Sequence, residues 1–65
     1  METKFLVQVG RGPKGAYRTV GEFLDQDEAS LRYVCTVIST GGKKRLIRVD
    51  GRPGRAEQLI CRDSL

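Results

Sequence analysis

Glycine-rich turns at residues 10–15, 41–44 and 50–55 divide this 65-residue chain into short segments. Because clusters of glycine and proline interrupt helices and strands, each segment has room for only one or two short elements. A chain of this length fits one domain, and such a domain buries only about 60% of the surface that its unfolded form exposes. We therefore expect a single small domain, residues 1–65, with a marginal core.

The first turn separates two segments that are rich in β-branched and aromatic residues. Residues 4–9 (KFLVQV) predict a strand with Phe5, Val7 and Val9 on one face, because alternate side chains of a strand share a face. Residues 16–24 (AYRTVGEFL) predict a second strand, on which Tyr17, Thr19 and Phe23 share a face. The two strands are expected to form a hairpin.

Residues 25–40 (DQDEASLRYVCTVIST) favour a helix. Asp25 or Asp27 can cap the amino terminus, and the acidic side chains of the first turn complement the helix dipole by about 0.3–1 kcal/mol each. Leu31, Val34, Cys35 and Ile38 repeat at helical spacing, and Gly41-Gly42 supplies a stop. Residues 33–40 are nearly all β-branched or aromatic, however, which leaves open a strand at 31–39 that would pair with residues 45–49.

Residues 45–49 and 57–62 predict two further strands, the last of them at an edge. The expected architecture is α+β with the order β-β-α-β-β, an antiparallel sheet carrying one helix on one face. The alternative is an all-β, five-stranded small barrel.

The chain has no histidine and only two cysteines, Cys35 and Cys61. Two cysteines without histidine cannot form a tetrahedral zinc site, and no nucleophile has a base partner. Gly10, Gly12 and Gly15 match the dinucleotide-binding spacing, but Pro13 and the strand-like residues after it contradict the helix that this motif must open. We expect no enzyme activity, no cofactor and no metal site.

No apolar stretch approaches a membrane span, and residues 1–10 do not have the pattern of a signal peptide. The expected location is therefore cytoplasmic, without membrane contact. In that compartment both cysteines stay reduced, and each is expected to be a small buried hydrophobe.

The net charge of +4 is distributed unevenly. Residues 1–20 carry +3, residues 21–40 carry −3, and residues 41–65 carry +4. Many of the basic residues lie in or beside the glycine-rich turns, where a backbone can approach a phosphate closely and the cations neutralise it. The predicted nucleic-acid-binding residues are Arg11, Lys14, Arg18, Lys43, Lys44, Arg45, Arg52 and Arg55.

Two hypotheses follow from these observations. The first is a small non-enzymatic module that binds DNA or RNA through its basic turns, provided that these turns lie at one end of the sheet. The second is a phage- or plasmid-type adaptor or inhibitor that binds an acidic host-protein surface or pairs through a sheet edge. A homodimer is compatible with both, because a small sheet leaves a face or an edge to cover.

Overall fold

A computed structural model describes residues 3–51 and 57–65 of the chain. The elements are β1 (Thr3–Arg11), β2 (Arg18–Phe23), α1 (Gln26–Cys35), β3 (Gly42–Asp50) and β4 (Glu57–Ser64). The predicted order β-β-α-β-β is confirmed. The five-stranded barrel is wrong, since residues 26–35 are helical and the described strands form one open, four-stranded sheet.

The sheet is antiparallel throughout and has the strand order β2-β1-β3-β4. The central pair is β1 and β3, whose nine residue pairs run from Thr3 opposite Asp50 to Arg11 opposite Gly42. The β1–β2 hairpin is confirmed, with Phe5 opposite Phe23. The chain then crosses from β2 to β3 through α1, which lies over β1, β2 and β3.

Both edge strands contain a one-residue bulge. In β2 the bulge is Val20, because the register passes from Val7 opposite Gly21 to Gln8 opposite Thr19. In β4 it is Ile60, because the register passes from Leu46 opposite Cys61 to Ile47 opposite Leu59. A bulge adds one residue and so changes which side chains face the core. Val20 and Ile60 both pack against the core on the helix side of the sheet.

The bulge in β2 places the side chains of this strand on other faces than the sequence predicted. Phe23 pairs with Phe5 on the helix side, whereas Thr19 pairs with Gln8 on the opposite side. Tyr17 lies on that opposite side as well, against Arg45, whose strand partner is Gln8. The predicted common face for Tyr17, Thr19 and Phe23 is therefore wrong, since Val20 interrupts the alternation between them.

The start of α1 follows from the acidic residues before it. Asp25 is the N-cap, with an extended backbone (φ −110°, ψ 127°), and its Oδ1 accepts a hydrogen bond from the backbone N–H of Asp27 at 3.1 Å. Asp27 and Glu28 occupy the first turn, where negative charge is favourable. The helix ends at Cys35, earlier than predicted, because Thr36 takes an extended backbone (φ −76°, ψ 118°) and begins a β-branched run that disfavours helix.

The face of α1 that meets the sheet differs from the predicted one. Ala29 and Tyr33 are the buried residues of the helix, and they pack with Phe5, Val7 and Leu46. Leu31 and Val34 are 67% and 73% exposed. The predicted repeat therefore marks the outer side of the helix, because the small Ala29 allows close approach to the sheet and Tyr33 fills the space beside it.

Both cysteines are exposed, so their predicted burial is wrong. Cys35 lies at the end of α1 away from the sheet, and Cys61 lies on the edge strand β4, where only Ile60 is even half-buried. The sheet face opposite α1 has its own buried residues, Leu6, Ile47 and Val49. In residues 3–51 and 57–65, no helix has the length and apolar character that a membrane crossing requires.

Candidate nucleic-acid interface

Two of the three predicted basic turns lie at the same end of the sheet. Arg11, at the end of β1, pairs with Gly42, at the start of β3. The backbone N–H of Gly12 donates to the carbonyl of Gly41 at 2.8 Å and joins the β1–β2 loop to the turn before β3. The loop that carries Lys14 is thereby brought next to residues 43–45. We call the region formed by Arg11, the β1–β2 loop and residues 41–45, with the residues that pair with them, the basic end.

The described strand residues beside the third predicted turn lie away from the basic end. Arg52 and Arg55 lie outside the described residues. The strand residues on either side, Asp50 and Glu57, lie at the other end of the sheet, where Asp50 pairs with Thr3. Nine residues of β1 span about 30 Å, so the two ends are far apart.

Tyr17 is the centre of the basic end on the face opposite α1. The Lys43 Nζ lies 4.6 Å from the centroid of the Tyr17 ring, and the guanidinium carbon of Arg45 lies 4.0 Å from it. Both distances are within the range of cation–π attraction. Gly10 makes the contact with Lys43 possible, because a Cβ there would lie 2.9 Å from the Lys43 Cε.

Arg45 is held in place by hydrogen bonds across the sheet. Its Nε donates to the Gln8 Oε1 at 2.7 Å, and the Gln8 Nε2 donates to the Thr19 Oγ1 at 3.0 Å. The two Nη nitrogens of Arg45 make no hydrogen bond to any residue that the structure describes. These nitrogens are the ones that bind a phosphate in a bidentate manner.

Arg62 extends this cluster onto β4. It pairs with Arg45 across the β3–β4 ladder and is exposed. Together with Tyr17, Asp63 and Ser64 it lines a cleft beside the Tyr17 ring. Arg62 is absent from the predicted residues, because these were basic residues in or beside turns and Arg62 lies within a strand. Arg62 is brought next to Arg45 by the pairing register of β3 with β4, and that register cannot be predicted from the sequence.

Three further predicted residues surround the cluster at the basic end. Arg11 and Lys14 are exposed in and beside the β1–β2 loop. Arg18 pairs with Val9 and so lies on the helix side of the sheet. Arg11 and Arg18 both line a groove of about 390 Å³ between this loop and residues 37–39. The basic end therefore carries cations on both faces of the sheet.

Lys44 points to the helix side, in contrast to Lys43 and Arg45. Its Nζ donates to the carbonyl oxygens of Tyr33 at 2.8 Å and Thr36 at 2.9 Å. The same Nζ lies 4.5 Å from the centroid of the Tyr33 ring. Lys44 thus complements the carboxyl end of α1, where the last carbonyls carry partial negative charge. Its ammonium is occupied by internal partners.

The Tyr33 hydroxyl donates to the Asp63 Oδ2 at 2.7 Å. Burial raises the pKa of Tyr33 above its ordinary value of 10.0, and the hydrogen bond to Asp63 and the charge of that carboxylate raise this pKa further. The neutral phenol is therefore the form that the fold stabilises. This hydrogen bond connects α1 to β4.

The cations of the basic end form no ion pair with an acid of the described residues. Within residues 3–51 and 57–65, one ion pair is found within 4.0 Å, between the Arg48 Nε and the Asp50 Oδ1 at 3.2 Å. It lies at the opposite end of the sheet. Among the described residues, the cations of the basic end that form no ion pair are Arg11, Lys14, Arg18, Lys43, Arg45 and Arg62. Asp63 lies in the same region, where its carboxylate accepts from the Tyr33 hydroxyl. Because the cations outnumber the carboxylates there, this end attracts polyanions.

Among the described residues, no group of three or more histidine, cysteine, aspartate or glutamate side chains is arranged to hold a metal ion. Comparison with protein-family models, curated proteins and solved structures found no match to this chain.

Proposed function

We propose that this protein is a small non-enzymatic module that binds nucleic acid at the basic end. The single observation that carries the proposal is the cluster around Tyr17, in which the Lys43 ammonium and the Arg45 guanidinium contact one aromatic ring. Neither cation has a carboxylate partner among the described residues. The two cations bind phosphates, and the aromatic ring holds both of them at one place on the surface.

The contacts of Arg45 support phosphate binding over a purely structural role. The Nε is fixed by Gln8 and the guanidinium plane by Tyr17, so the side chain loses little further entropy when its Nη nitrogens bind a ligand. Arg62 and Arg11 extend the positive surface from the cluster in two directions. A backbone that crosses the basic end can therefore contact several cations in succession.

The test is the salt dependence of binding, measured by fluorescence anisotropy with labelled single-stranded and duplex oligonucleotides. The logarithm of the association constant is expected to fall linearly with the logarithm of salt concentration, with a slope of about −0.7 for each phosphate neutralised on a single strand. Arg45→Gln should make the slope less negative by about 0.7 and weaken binding at low salt.

The matched control is Arg48→Gln. It removes the same charge from the same strand, but Arg48 is paired with Asp50 at the other end of the sheet. This variant should bind as the unmodified protein does. Absence of binding at about 50 mM salt, or equal losses in the two variants, would contradict the proposal.

A second candidate function is that of a protein-binding adaptor or inhibitor of the phage or plasmid type. The observation that favours it is the exposed apolar surface of α1 and the residues after it, where Leu31 is 67% and Val37 92% exposed. Pairing through a sheet edge is less favoured, because the Val20 and Ile60 bulges interrupt both edge strands. Recovery of a stoichiometric protein partner after nuclease treatment would support this candidate.

A further inference from the structure

The outer face of α1 carries apolar side chains that nothing in the described fold covers. Leu31 is two residues from Ala29 and two from Tyr33, so its side chain leaves the helix about 160° away from these buried residues. Val34 and Cys35 follow one turn later, and both are exposed. We call these three residues the outer apolar face.

Charged residues flank the outer apolar face asymmetrically. Glu28 and Arg32 are four residues apart and lie on one flank, whereas Asp27 lies on the other. All three side chains are exposed. Neither Glu28 nor Arg32 forms an ion pair with any described residue. One flank therefore offers both an unpaired anion and an unpaired cation.

We infer that the outer apolar face binds a second copy of this chain through an antiparallel pair of α1 helices centred on Leu31. In a two-fold antiparallel pair, equal flanks of the two helices meet. Arg32 lies one residue after Leu31, and the partner's Glu28 lies three residues from the centre in the same direction. The two side chains are then within about 3 Å along the helix axis.

A parallel pair is disfavoured by the same charges. A two-fold axis along the helices brings opposite flanks together, so Glu28 meets the partner's Asp27 twice across the interface. The helix dipoles also point in the same direction in that arrangement. The antiparallel pair instead forms two Glu28–Arg32 contacts and opposes the dipoles. The sequence of α1 is thus complementary to itself in one orientation.

The expected dimer is weak. A standard interface buries about 800 Å² on each partner, and one face of a ten-residue helix provides less than that. Sedimentation equilibrium should therefore cover concentrations from about 10 µM to about 1 mM. The inference is independent of nucleic-acid binding, which uses the basic end.

The first test compares Leu31→Lys with Leu65→Lys. The two leucines are 67% and 69% exposed, so neither substitution disturbs a buried contact. Leu31→Lys should abolish the concentration-dependent association. Leu65 follows β4 and is not part of α1, so Leu65→Lys should leave the association unchanged. A protein that stays monomeric at about 1 mM, or an equal effect of both variants, overturns the inference and leaves the face for another protein.

The second test uses charge reversal. Glu28→Arg and Arg32→Glu each place like charges at both contacts of the homodimer and should weaken it. A mixture of the two variants restores opposite charges at both contacts, so the mixed dimer should be roughly tenfold tighter than either homodimer. Circular dichroism of each variant checks that the helix is retained. A mixed dimer no tighter than the homodimers overturns the antiparallel arrangement.

Discussion

The Lys44 ammonium contacts Tyr33 twice, since it lies 4.5 Å from the centroid of the ring and donates to the Tyr33 carbonyl at 2.8 Å. One lysine of β3 therefore binds both the side chain and the backbone of the last turn of α1. The Tyr33 hydroxyl meanwhile bonds Asp63 on β4. The helix is fixed to the sheet at its carboxyl end by these polar contacts in addition to apolar packing.

Lys44→Met should lower the free energy of unfolding by about 1–2 kcal/mol. The substitution removes two charge-assisted hydrogen bonds to helix carbonyls and the cation–π contact, while the methionine keeps most of the aliphatic stem. Lys43→Met is the control, because Lys43 contacts the half-buried Tyr17 and no helix carbonyl. Urea denaturation of both variants measures the difference, and equal losses would show that the helix contacts contribute little.

Tyr33 should make the protein less stable in alkali. Its pKa is raised in the folded state, so the stabilising contribution is fully present below the unfolded value of 10.0 and is lost as pH rises above it. Urea denaturation between about pH 8 and pH 11.5 should show a fall in unfolding free energy.

Tyr33→Phe separates this effect from the titration of lysines in the same range. The variant should be less stable by about 1 kcal/mol at pH 8, because the hydrogen bond to Asp63 is lost. Its stability should then decline less steeply with pH. Parallel declines in the two proteins would exclude Tyr33 as the source of the alkaline sensitivity.

Gly10→Ala should displace Lys43 from the Tyr17 ring. The added Cβ would lie 2.9 Å from the Lys43 Cε and 3.1 Å from the Ala16 carbonyl oxygen. A flexible lysine can move away, so the loss of stability should be no more than about 1–2 kcal/mol. In NMR spectra the upfield ring-current shift of the Lys43 Hε protons should diminish. The corresponding Lys44 shift from Tyr33 is the internal control and should not change.

Local signals in the sequence were sufficient to predict the element order. The Asp25 cap, the acids of the first helical turn and the glycine-rich turns act within a few residues of the chain. The end of α1 was harder to place, because the helical repeat and the β-branched run overlap between Tyr33 and Ile38. In the structure the helical repeat prevails up to Cys35 and the β-branched preference prevails after it.

Which side of α1 and of each edge strand faces the core is decided by contacts between residues that are distant in the sequence. The repeat of Leu31, Val34 and Cys35 is regular, but Ala29 and Tyr33 are the helix residues that pack on the sheet. Tyr33 also contacts Lys44 on β3 and Asp63 on β4, which are distant from it in the sequence. The two bulges likewise depend on pairing partners that are far away in sequence. For the same reason the sequence did not separate Lys44 from Lys43 and Arg45, or reveal Arg62.

The two bulged edge strands also bear on what the protein does at high concentration. An uninterrupted outer strand can act as a template on which further chains add one after another and grow into fibrils. Val20 and Ile60 interrupt that template on both sides, so strand addition is disfavoured at either edge. A chain that exposes Leu31, Val34 and Val37 can therefore form a closed assembly without polymerising.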